Sequence, residues 1–310
     1  MPDTSSEELL ASVIIPWCGE EELYETLRTL GSADWFEIIV VDNRRNPTPV
    51  ALGPFPHLLR EETPGAAAAR NGGLAAARGE YILFLDADCV PQEGWVEKMM
   101  EQMRATGADG LQGPILSRQS QAVARYVQAE LDQRQKRLAL YGRIALISTG
   151  NCAFRRQVVT DAGGFDPTLL AGEDTELSFR LHSEGRQLFY VTSAAVWHRH
   201  PTRILTLLQR KCRYGFYLAR VYRRYRGHIT ENTRTPRTQL AAMGLWVVFL
   251  PAYLVFGLQG TACILGLLMA TALPLAWKGG PIALLLSPLC TLMNTAGLAC
   301  GWLWACLRRC

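Results

Sequence analysis

Acidic residues are almost absent from the C-terminal third of this 310-residue chain. From residue 199 onward Glu231 is the single acid among 14 lysines and arginines, a net charge of +13, so the formal total of +4 leaves −9 for residues 1–198. Such an asymmetry is expected when an acidic soluble domain is held at an anionic membrane surface. We expect no nucleic-acid partner, because the basic stretch runs directly into long apolar segments that no nucleic-acid-binding module requires.

Charged residues are missing altogether from two C-terminal runs. Residues 238–277 contain none in 40 positions, and residues 279–307 form a second uncharged run. At ~1.5 Å per residue the first run can cross a ~30 Å hydrocarbon core twice, with a turn near residues 257–260, and the second run can cross it once. We therefore predict a transmembrane region over residues 238–310 with two or three helices. A buried helical hairpin in a soluble domain is the alternative.

A Cys-x-x-Cys pair and a secretory leader are also missing. The nine cysteines show no zinc-site spacing, so we expect reduced thiols. Residues 1–10 are polar and acidic, unlike a secretory signal. Because eleven lysines and arginines lie between residues 199 and 237, the positive-inside rule predicts a multi-pass protein of the inner, cytoplasmic membrane with its N-terminal domain in the cytosol.

What the chain does have is a repeated alternation of strand-like and helix-like segments. β-Branched runs at residues 12–16 and 37–41 flank an acidic helix start, and an Ala-rich helix at residues 65–78 leads into the apolar strand 81–85. This βαβ pattern predicts an α/β domain over residues 1–200 with a doubly wound, mostly parallel sheet.

Two carboxylates, Asp86 and Asp88, follow the last of these strands. Ligands of parallel sheets gather at this end of the strands, and the period of two keeps both side chains near one side. If the ligand is a nucleotide diphosphate, which is an anion, the two acids would repel it. A cation such as Mg²⁺ or Mn²⁺ between the acids and the diphosphate removes this repulsion. The alternative is that the pair only ends the strand and caps the turn before Pro91.

A second acidic cluster, Gly172-Glu-Asp-Thr-Glu176, marks the start of a predicted helix. Backbone N–H groups and the helix dipole can hold a carboxylate at such a position. A carboxylate held in this way can take a proton from an attacking hydroxyl group, and Asp174 is the candidate. The alternative is that these acids only favour the first turn of the helix.

Seven short motifs lie between about residues 10 and 200. They are Ser12-Val-Ile-Ile-Pro16, Ile38-Ile-Val-Val-Asp42, Ala69-Arg-Asn71-x-Gly73, Phe84-Leu-Asp-Ala-Asp88, Ala153-Phe-Arg155, Gly163-Gly-Phe-Asp166 and Gly172-Glu-Asp174. In this order and spacing they resemble the family 2 inverting glycosyltransferases of the GT-A fold. The resemblance implies transfer of a sugar from a nucleotide-diphosphate-sugar donor, assisted by Mg²⁺ or Mn²⁺.

The resemblance also assigns roles to individual residues. The donor-site residues are Pro16, Glu20, Asp42, Arg70 and Asp86. Among them Asp42 contacts the donor base and Arg70 helps to bind the nucleotide. Asp88 holds the metal together with Asp86, and Asp174 is the catalytic base.

Three features depart from the family pattern. The first strand is followed by Cys18-Gly19-Glu20 where the family often has Asn-Glu. The second strand is followed by Asp42-Asn-Arg-Arg45, with two cations where a small loop is usual, so the base and the sugar stay open. The Gln-x-x-Arg-Trp motif of processive synthases is absent, which favours transfer of a single sugar.

The basic segment 201–237 is predicted to form an amphipathic helix on the membrane surface. Together with the apolar runs it resembles family members that build exopolysaccharides or glycolipids, so we expect a lipid or lipid-linked saccharide as the acceptor. The candidate acceptor or phosphate ligands are His198, His200, Arg210, Lys211 and Arg213. The histidines alternatively belong only to a loop, and the cations only to a membrane-retention signal.

Two other functions remain as alternatives at this stage. A nucleotidyltransferase acting on sugar phosphates also uses an Asp-rich sheet edge, although it would need a Gly-rich basic loop after the first strand. A non-catalytic membrane scaffold could keep the same fold, although the loss of Asp86, Asp88 or Asp174 would then be expected, and all three are present.

Overall fold

The computed structural model describes residues 9–53, 56–225 and 237–307, which divide into two compact units. The first unit combines the chain up to Leu116 with Leu138–His198, and the second combines Ser117–Arg137 with the chain from Arg199 onward. The last boundary between the units, between His198 and Arg199, coincides with the change in composition near residue 200. No feature of the sequence predicts that residues 117–137 belong with the C-terminal helices.

A seven-stranded sheet forms the centre of the first unit. In spatial order its strands are β3 (Pro56–Arg60), β2 (Phe36–Asp42), β1 (Ala11–Trp17), β4 (Tyr81–Leu85), β8 (Asn151–Arg155), β6 (Gly110–Gln112) and β9 (Leu188–Tyr190). β3, β2, β1 and β4 are parallel, and β8 runs antiparallel to both of its neighbours. The predicted α/β class with a mostly parallel sheet is therefore confirmed.

Small side chains let one of the helices pack closely on this sheet. The helices along the first part of the chain are α1 (Glu22–Leu30), α2 (Ala66–Ala76), α3 (Trp95–Thr106), α4 (Ala122–Tyr141), α5 (Arg156–Asp161) and α6 (Glu173–Ser183). In α2, a Cβ atom at Gly73 would overlap the side chain of Ile14 and lie 3.2 Å from Val41 Cγ2. The Ala- and Gly-rich sequence of α2 thus lets it lie close against β1 and β2, which buries Ala67 and Ala69.

A second, three-stranded sheet lies in the same unit. Its order is β5 (Cys89–Pro91), β10 (Val196–His198) and β7 (Ile115–Leu116), with β10 antiparallel to β5 and parallel to β7. Since β5 begins one residue after Asp88, this sheet brings the end of the first unit beside the Asp-x-Asp segment.

The C-terminal part of the second unit is helical. It contains α7 (Ile204–Arg224), α8 (Arg237–Gly279) and α9 (Ile282–Leu307). α8 is interrupted at Gly257, whose φ of 59° and ψ of −143° are not helical, at the place where the sequence predicts a turn. The predicted basic helix forms as α7, and its small residues pack on α9, where Gly215 lies against Asn294.

Membrane-spanning length is reached by one stretch among the described residues. Ile282–Gly301 has a mean hydropathy of 1.6 over a span of 20 residues, and Gly257–Ala270 is apolar but shorter. The number of crossings stays a prediction. The part of the basic segment at residues 226–236 and the terminal Arg308 and Arg309 lie outside the described residues.

Close packing of α7 on α9 gives the first testable prediction. A Cβ atom at Gly301 would overlap Phe216 O and approach Ala219 Cβ at 2.7 Å, so Gly301→Ala should lower the free energy of unfolding by about 1–3 kcal/mol. The matched control is Gly266→Ala in α8, where a Cβ atom meets nothing within 4 Å and the higher helix propensity of Ala should be neutral or stabilising. Thermal unfolding of the detergent-solubilised proteins measures both changes. Equal melting temperatures of the two variants would contradict the packing.

Candidate active site

Strand order places the candidate site at the C-terminal edge of the seven-stranded sheet. β1 lies between β2 and β4, so the chain changes direction across the sheet between β1 and β4. Ligands of open α/β sheets bind in the crevice at such a switch point. Asp42 ends β2 and Asp86 follows β4, two strand spacings apart, or about 10 Å in the plane of the sheet.

Three acids converge on the end of β1 between these strands. The Cys18 thiol follows β1, and its pKa is raised first by partial burial and then by the carboxylates of Glu20, Asp42 and Asp86. Glu20 accepts a hydrogen bond from the Cys18 N–H at 2.8 Å. Pro16 is part of β1 itself, where it pairs with Val41 of β2. Four of the five predicted donor-site residues are therefore near the C-terminal end of β1 or within that strand.

Asp42 is 5% exposed and is held by two arginines. Arg44 donates from Nε to Oδ1 at 3.0 Å and from Nη2 to Oδ2 at 2.9 Å, and its backbone N–H donates to Oδ1 at 3.0 Å. Arg60 Nη1 lies 3.4 Å from Oδ1. Hydrogen bonding from Arg44 is the largest cause that lowers the pKa of Asp42, so this carboxylate is ionised when the protein is folded.

Arg70, the fifth donor-site residue, is buried on α2 and joins two parts of the site. Its Nη2 donates to Asp86 Oδ1 and its Nη1 to Glu173 Oε1, each at 2.7 Å, and the side chain is only 3% exposed. Burial lowers the pKa of the guanidinium, but the two carboxylates outweigh burial and raise it. Arg70 Nε has no hydrogen-bond partner among the described residues. The observed partners of Arg70 are thus acids of the site, and a contact with nucleotide stays a prediction.

Glu173 and Asp174 begin α6 as the sequence predicts. Gly172 precedes them with φ 78°, a left-handed conformation that favours glycine. Asp174 is 8% exposed, and its Oδ1 accepts the Thr175 N–H at 2.7 Å. The pKa of Glu173 is raised, with burial as the largest cause, Arg70 opposing it and Asp174 adding to it. Because Glu173 is tied to Arg70, the helix start that carries Asp174 is connected to the end of β4.

Asp86 also depends on the absence of a side chain at Gly150. A Cβ atom there would lie 2.9 Å from Asp86 Oδ2, and the Gly150 carbonyl accepts the Asp86 N–H at 3.5 Å. The next residue, Asn151, is fully buried and donates to the carbonyls of Pro114 and Ala194 at 2.8 and 2.9 Å. These contacts fix the loops that surround the Asp-x-Asp segment.

Asp88 faces His198 across the small sheet. β10 pairs with β5 so that His198 lies opposite Cys89, and His198 Nε2 is 3.3 Å from Asp88 Oδ2. Asp88, Cys89 and His198 offer ligand atoms within 4.8 Å of one another. The Cys89 thiol is fully buried, and burial raises its pKa well above the ordinary value, so it is a poor ligand beside the other two. The sequence predicts His198 as an acceptor or phosphate ligand but does not reveal this neighbour, because the pairing of β5 with β10 leaves no local pattern.

The remaining candidates lie in the second unit. His200 is 5% exposed, with Nε2 2.8 Å from Gln128 Oε1 and its backbone N–H on Gln119 Oε1. Lys211 donates to Glu130 Oε2 at 2.8 Å. These two side chains have packing partners, whereas Arg210 and Arg213 are exposed on α7. Binding of an acceptor or a phosphate by these residues stays a prediction.

Comparison with known proteins agrees with the fold and the motifs. A model of glycosyl transferase family 2 matches residues 12–163. The pre-mycofactocin glycosyltransferase of Mycobacterium tuberculosis is 33% identical over 157 residues, which cover 49% of this chain and 33% of that protein. Glycosyltransferase AglE of Haloferax volcanii is 28% identical over 262 residues, which cover 77% and 81% of the two chains. This chain therefore spans about a third of the mycobacterial relative and most of the archaeal one.

A solved structure extends the likeness to the fold. The mannosyltransferase PcManGT from Pyrobaculum calidifontis, in complex with GDP-Man and Mn²⁺, is similar with a TM-score of 0.59 and 18% identity, over 95% of this chain and 87% of that one. At this identity the likeness supports the GT-A-like fold alone. The match to the family model identifies residues 12–163 of this chain as a glycosyl transferase family 2 domain.

Proposed function

We propose that this protein transfers a single sugar, with inversion, from a nucleotide-diphosphate-sugar donor to a hydroxyl group of a membrane-associated acceptor. The observation that carries this proposal is the buried Arg70, which joins Asp86 at the end of β4 to Glu173 at the start of α6. Asp86 is on the proposed donor side of the site, and Glu173 precedes the proposed base Asp174 on the acceptor side. Arg70 therefore keeps the two sides at a fixed distance from each other. Such fixed placement is what a direct displacement needs from a protein.

The donor side extends from Asp42 to Asp88. A donor nucleotide would extend across the end of β1, where Pro16 and Glu20 lie. Its base would be near Asp42 and its diphosphate near Asp86 and Asp88. The separation of about 10 Å between the ends of β2 and β4 is one that a nucleoside diphosphate can bridge. Burial of Asp42 beneath Arg44 and its ionised state make it a fixed acceptor for an N–H group of the base.

The donor atoms around Asp88 fit a divalent cation. Asp88 Oδ2 and His198 Nε2 form a mixed oxygen and nitrogen pair, which suits a transition metal such as Mn²⁺ better than Mg²⁺, a cation that prefers oxygen alone. A divalent cation bound there would neutralise the leaving diphosphate as a Lewis acid. Asp86 lies two residues before Asp88, and its charge is balanced by Arg70.

Asp174 is the proposed general base. Its Oδ1 is fixed by the N–H of Thr175, so the carboxylate has one orientation at the start of α6. A carboxylate oriented in this way accepts the proton of the acceptor hydroxyl as the oxygen attacks the anomeric carbon. Attack from the side opposite to the leaving diphosphate inverts that carbon.

The second unit is the proposed membrane anchor. Large apolar side chains exposed on α8 and α9 include Leu254, Val255, Leu258, Leu267, Leu273, Trp277, Leu285, Leu303 and Leu307. So many exposed apolar residues on neighbouring helices are expected where lipid replaces water. By the positive-inside rule, the basic residues upstream of these helices support a cytosolic location of the catalytic unit at the inner membrane. The exposed Arg210 and Arg213 of this unit support a lipid or lipid-linked saccharide as the acceptor, because positive charge at a membrane surface attracts lipid phosphate.

Removing the proposed base should separate binding from transfer. Asp174→Asn keeps the shape of the side chain, so donor binding should persist while transfer falls by a factor of roughly 10²–10⁴. Release of nucleoside diphosphate from a panel of nucleotide sugars, measured on membranes that contain the protein, tests this and identifies the donor. The matched control is Asp161→Asn, an exposed acid on α5. Full turnover of Asp174→Asn would rule out its role as base.

Metal binding should depend on both proposed ligands. Asp88→Ala should abolish Mn²⁺-dependent turnover, and His198→Ala should weaken Mn²⁺ binding by roughly tenfold or more and shift the preference toward Mg²⁺, because only oxygen ligands remain. Release of nucleoside diphosphate in the presence of Mn²⁺ measures turnover, and titration of Mn²⁺ into the purified protein, followed by electron paramagnetic resonance, measures the Mn²⁺ affinity of both variants. His57→Ala, whose side chain is 60% exposed on β3, is the matched control. Unchanged Mn²⁺ affinity in both variants would place the metal elsewhere.

Exposed leucines distinguish a membrane anchor from a soluble helical unit. Leu267 in α8 is 54% exposed, so Leu267→Arg would be harmless in water but should cost about 2.5–3.5 kcal/mol of insertion if the residue faces lipid. Leu205→Arg in α7, at 67% exposure and outside the apolar runs, is the control. The amount of each variant that resists alkaline carbonate extraction from membranes is the measurement. Equal membrane retention of Leu267→Arg and the wild type, or extraction of the wild type itself, would refute the spanning arrangement.

A further inference from the structure

The hydrogen bonds from Arg44 and Arg60 occupy most of the acceptor positions of the Asp42 carboxylate. A carboxylate has about four acceptor positions, two on each oxygen. Oδ1 of Asp42 already receives three donors, namely the N–H and Nε of Arg44 at 3.0 Å each and Arg60 Nη1 at 3.4 Å. Oδ2 receives one, Arg44 Nη2 at 2.9 Å. Among the described residues, Asp42 thus keeps one acceptor position, on Oδ2.

Arg44 is a fixed part of this arrangement. Its guanidinium carbon lies 4.2 Å from the centre of the Trp17 ring, and its Nη2 also donates to the Thr48 carbonyl at 2.8 Å. The side chain is 15% exposed. A stacked guanidinium in a bidentate pair loses several charge-assisted hydrogen bonds if it moves, so a ligand that needs both oxygens of Asp42 must overcome that loss.

Arg44 also brings unused donors to the site. A guanidinium has five N–H groups. Within the described part of the chain, Nε and Nη2 have acceptors and Nη1 has none. A ligand edge that offers one N–H to Asp42 and a carbonyl oxygen to Arg44 would therefore satisfy both side chains.

Uracil and guanine differ in the N–H and carbonyl groups that they present along one edge. Uracil presents a single ring N–H between two carbonyl oxygens, which is an imide edge. Guanine presents two adjacent N–H groups, on the ring and on the exocyclic amine, which a carboxylate binds with both oxygens. We propose that Arg44 selects the donor base: it leaves Asp42 one acceptor position and adds N–H donors beside it, a combination that accepts the imide edge of uracil and rejects guanine.

This inference rests on the proposed donor site and adds the class of donor, a nucleoside diphosphate sugar whose base has the imide edge, which is uracil or its 5-methyl form thymine. Arg44 is then the residue that determines which base binds, and Trp17 is a positioning residue that holds the Arg44 guanidinium. The adjacent Arg45 is exposed and carries the same charge without the contact with Asp42, so it separates a local effect from a general electrostatic one.

Calorimetric titration of the full-length protein in detergent with UDP and GDP, each with Mn²⁺, tests the proposal. The wild type should bind UDP roughly tenfold or more tighter than GDP, because a buried N–H of guanine would lack an acceptor. Arg44→Ala should weaken UDP binding and bring the ratio of the two dissociation constants toward one. Arg45→Ala should keep the wild-type ratio. If Arg44→Ala does not fold, Arg44→Gln keeps one side-chain donor without the bidentate pair and should show the same relaxed ratio.

The outcomes separate the role of Arg44 from the donor site itself. Equal binding of UDP and GDP by the wild type, or a wild-type ratio in the Arg44 variants, would overturn base selection by Arg44 and leave the donor site in place. An equal shift in Arg45→Ala would overturn it as well, since loop charge would then be the cause. A wild type that binds neither nucleotide would overturn the proposed donor site and this inference with it.

Discussion

The buried guanidinium of Arg70 is the constraint on which the candidate site depends. Removing a cation from water costs several kcal/mol, and this cost is offset only when well-placed anions surround it. Asp86 and Glu173 are those anions, at 2.7 Å each, and they come from a strand end and a helix start that are 87 residues apart in the sequence. If either acid moved away, Arg70 would be a buried cation without one of its two anions. β4 and α6 must therefore keep the same relative position. The buried Arg70 thus fixes the relative position of β4 and α6, next to Asp88 and Asp174, as the proposed displacement reaction requires.

The parts of this site that follow from local sequence could be predicted, and those that need distant pairing could not. Asp42 and Asp86 were expected at one edge because parallel strands end together, and Asp174 was expected at a helix start because of its acidic first turn. The partners of Arg70 could not be derived, since Glu173 lies 103 residues away and nothing local marks the pair. His198 reaches Asp88 through a three-residue strand in a separate sheet, and such short strands have no readable period.

In the second unit, too, contacts between distant residues could not be predicted from the sequence. Charge counting predicted a basic helix and apolar runs, and both are present as α7, α8 and α9. It could not show that Lys211 has a carboxylate partner in Glu130, contributed by residues 117–137 that belong to this unit. Part of the positive charge that the sequence assigns to the membrane surface is thus used inside the unit. Nor could composition show that glycines at positions 215, 297 and 301 let α7 approach α9 closely, because close approach is a property of the pair of helices.

Charge balance along the sheet edge connects these observations. A site for an anionic diphosphate cannot leave several acids unbalanced, because each would repel the ligand in a poorly solvated crevice. Asp42 is balanced by Arg44 and Arg60, and Asp86 is balanced by Arg70, in every case by a cation of the same unit. Asp88 instead faces an imidazole, His198 Nε2 at 3.3 Å, which is a metal ligand when neutral. The edge thus pairs Asp42 and Asp86 with arginines, whereas at Asp88 an oxygen and a nitrogen atom that suit a divalent cation lie 3.3 Å apart. This difference supports the proposal that a divalent cation binds at Asp88 and His198.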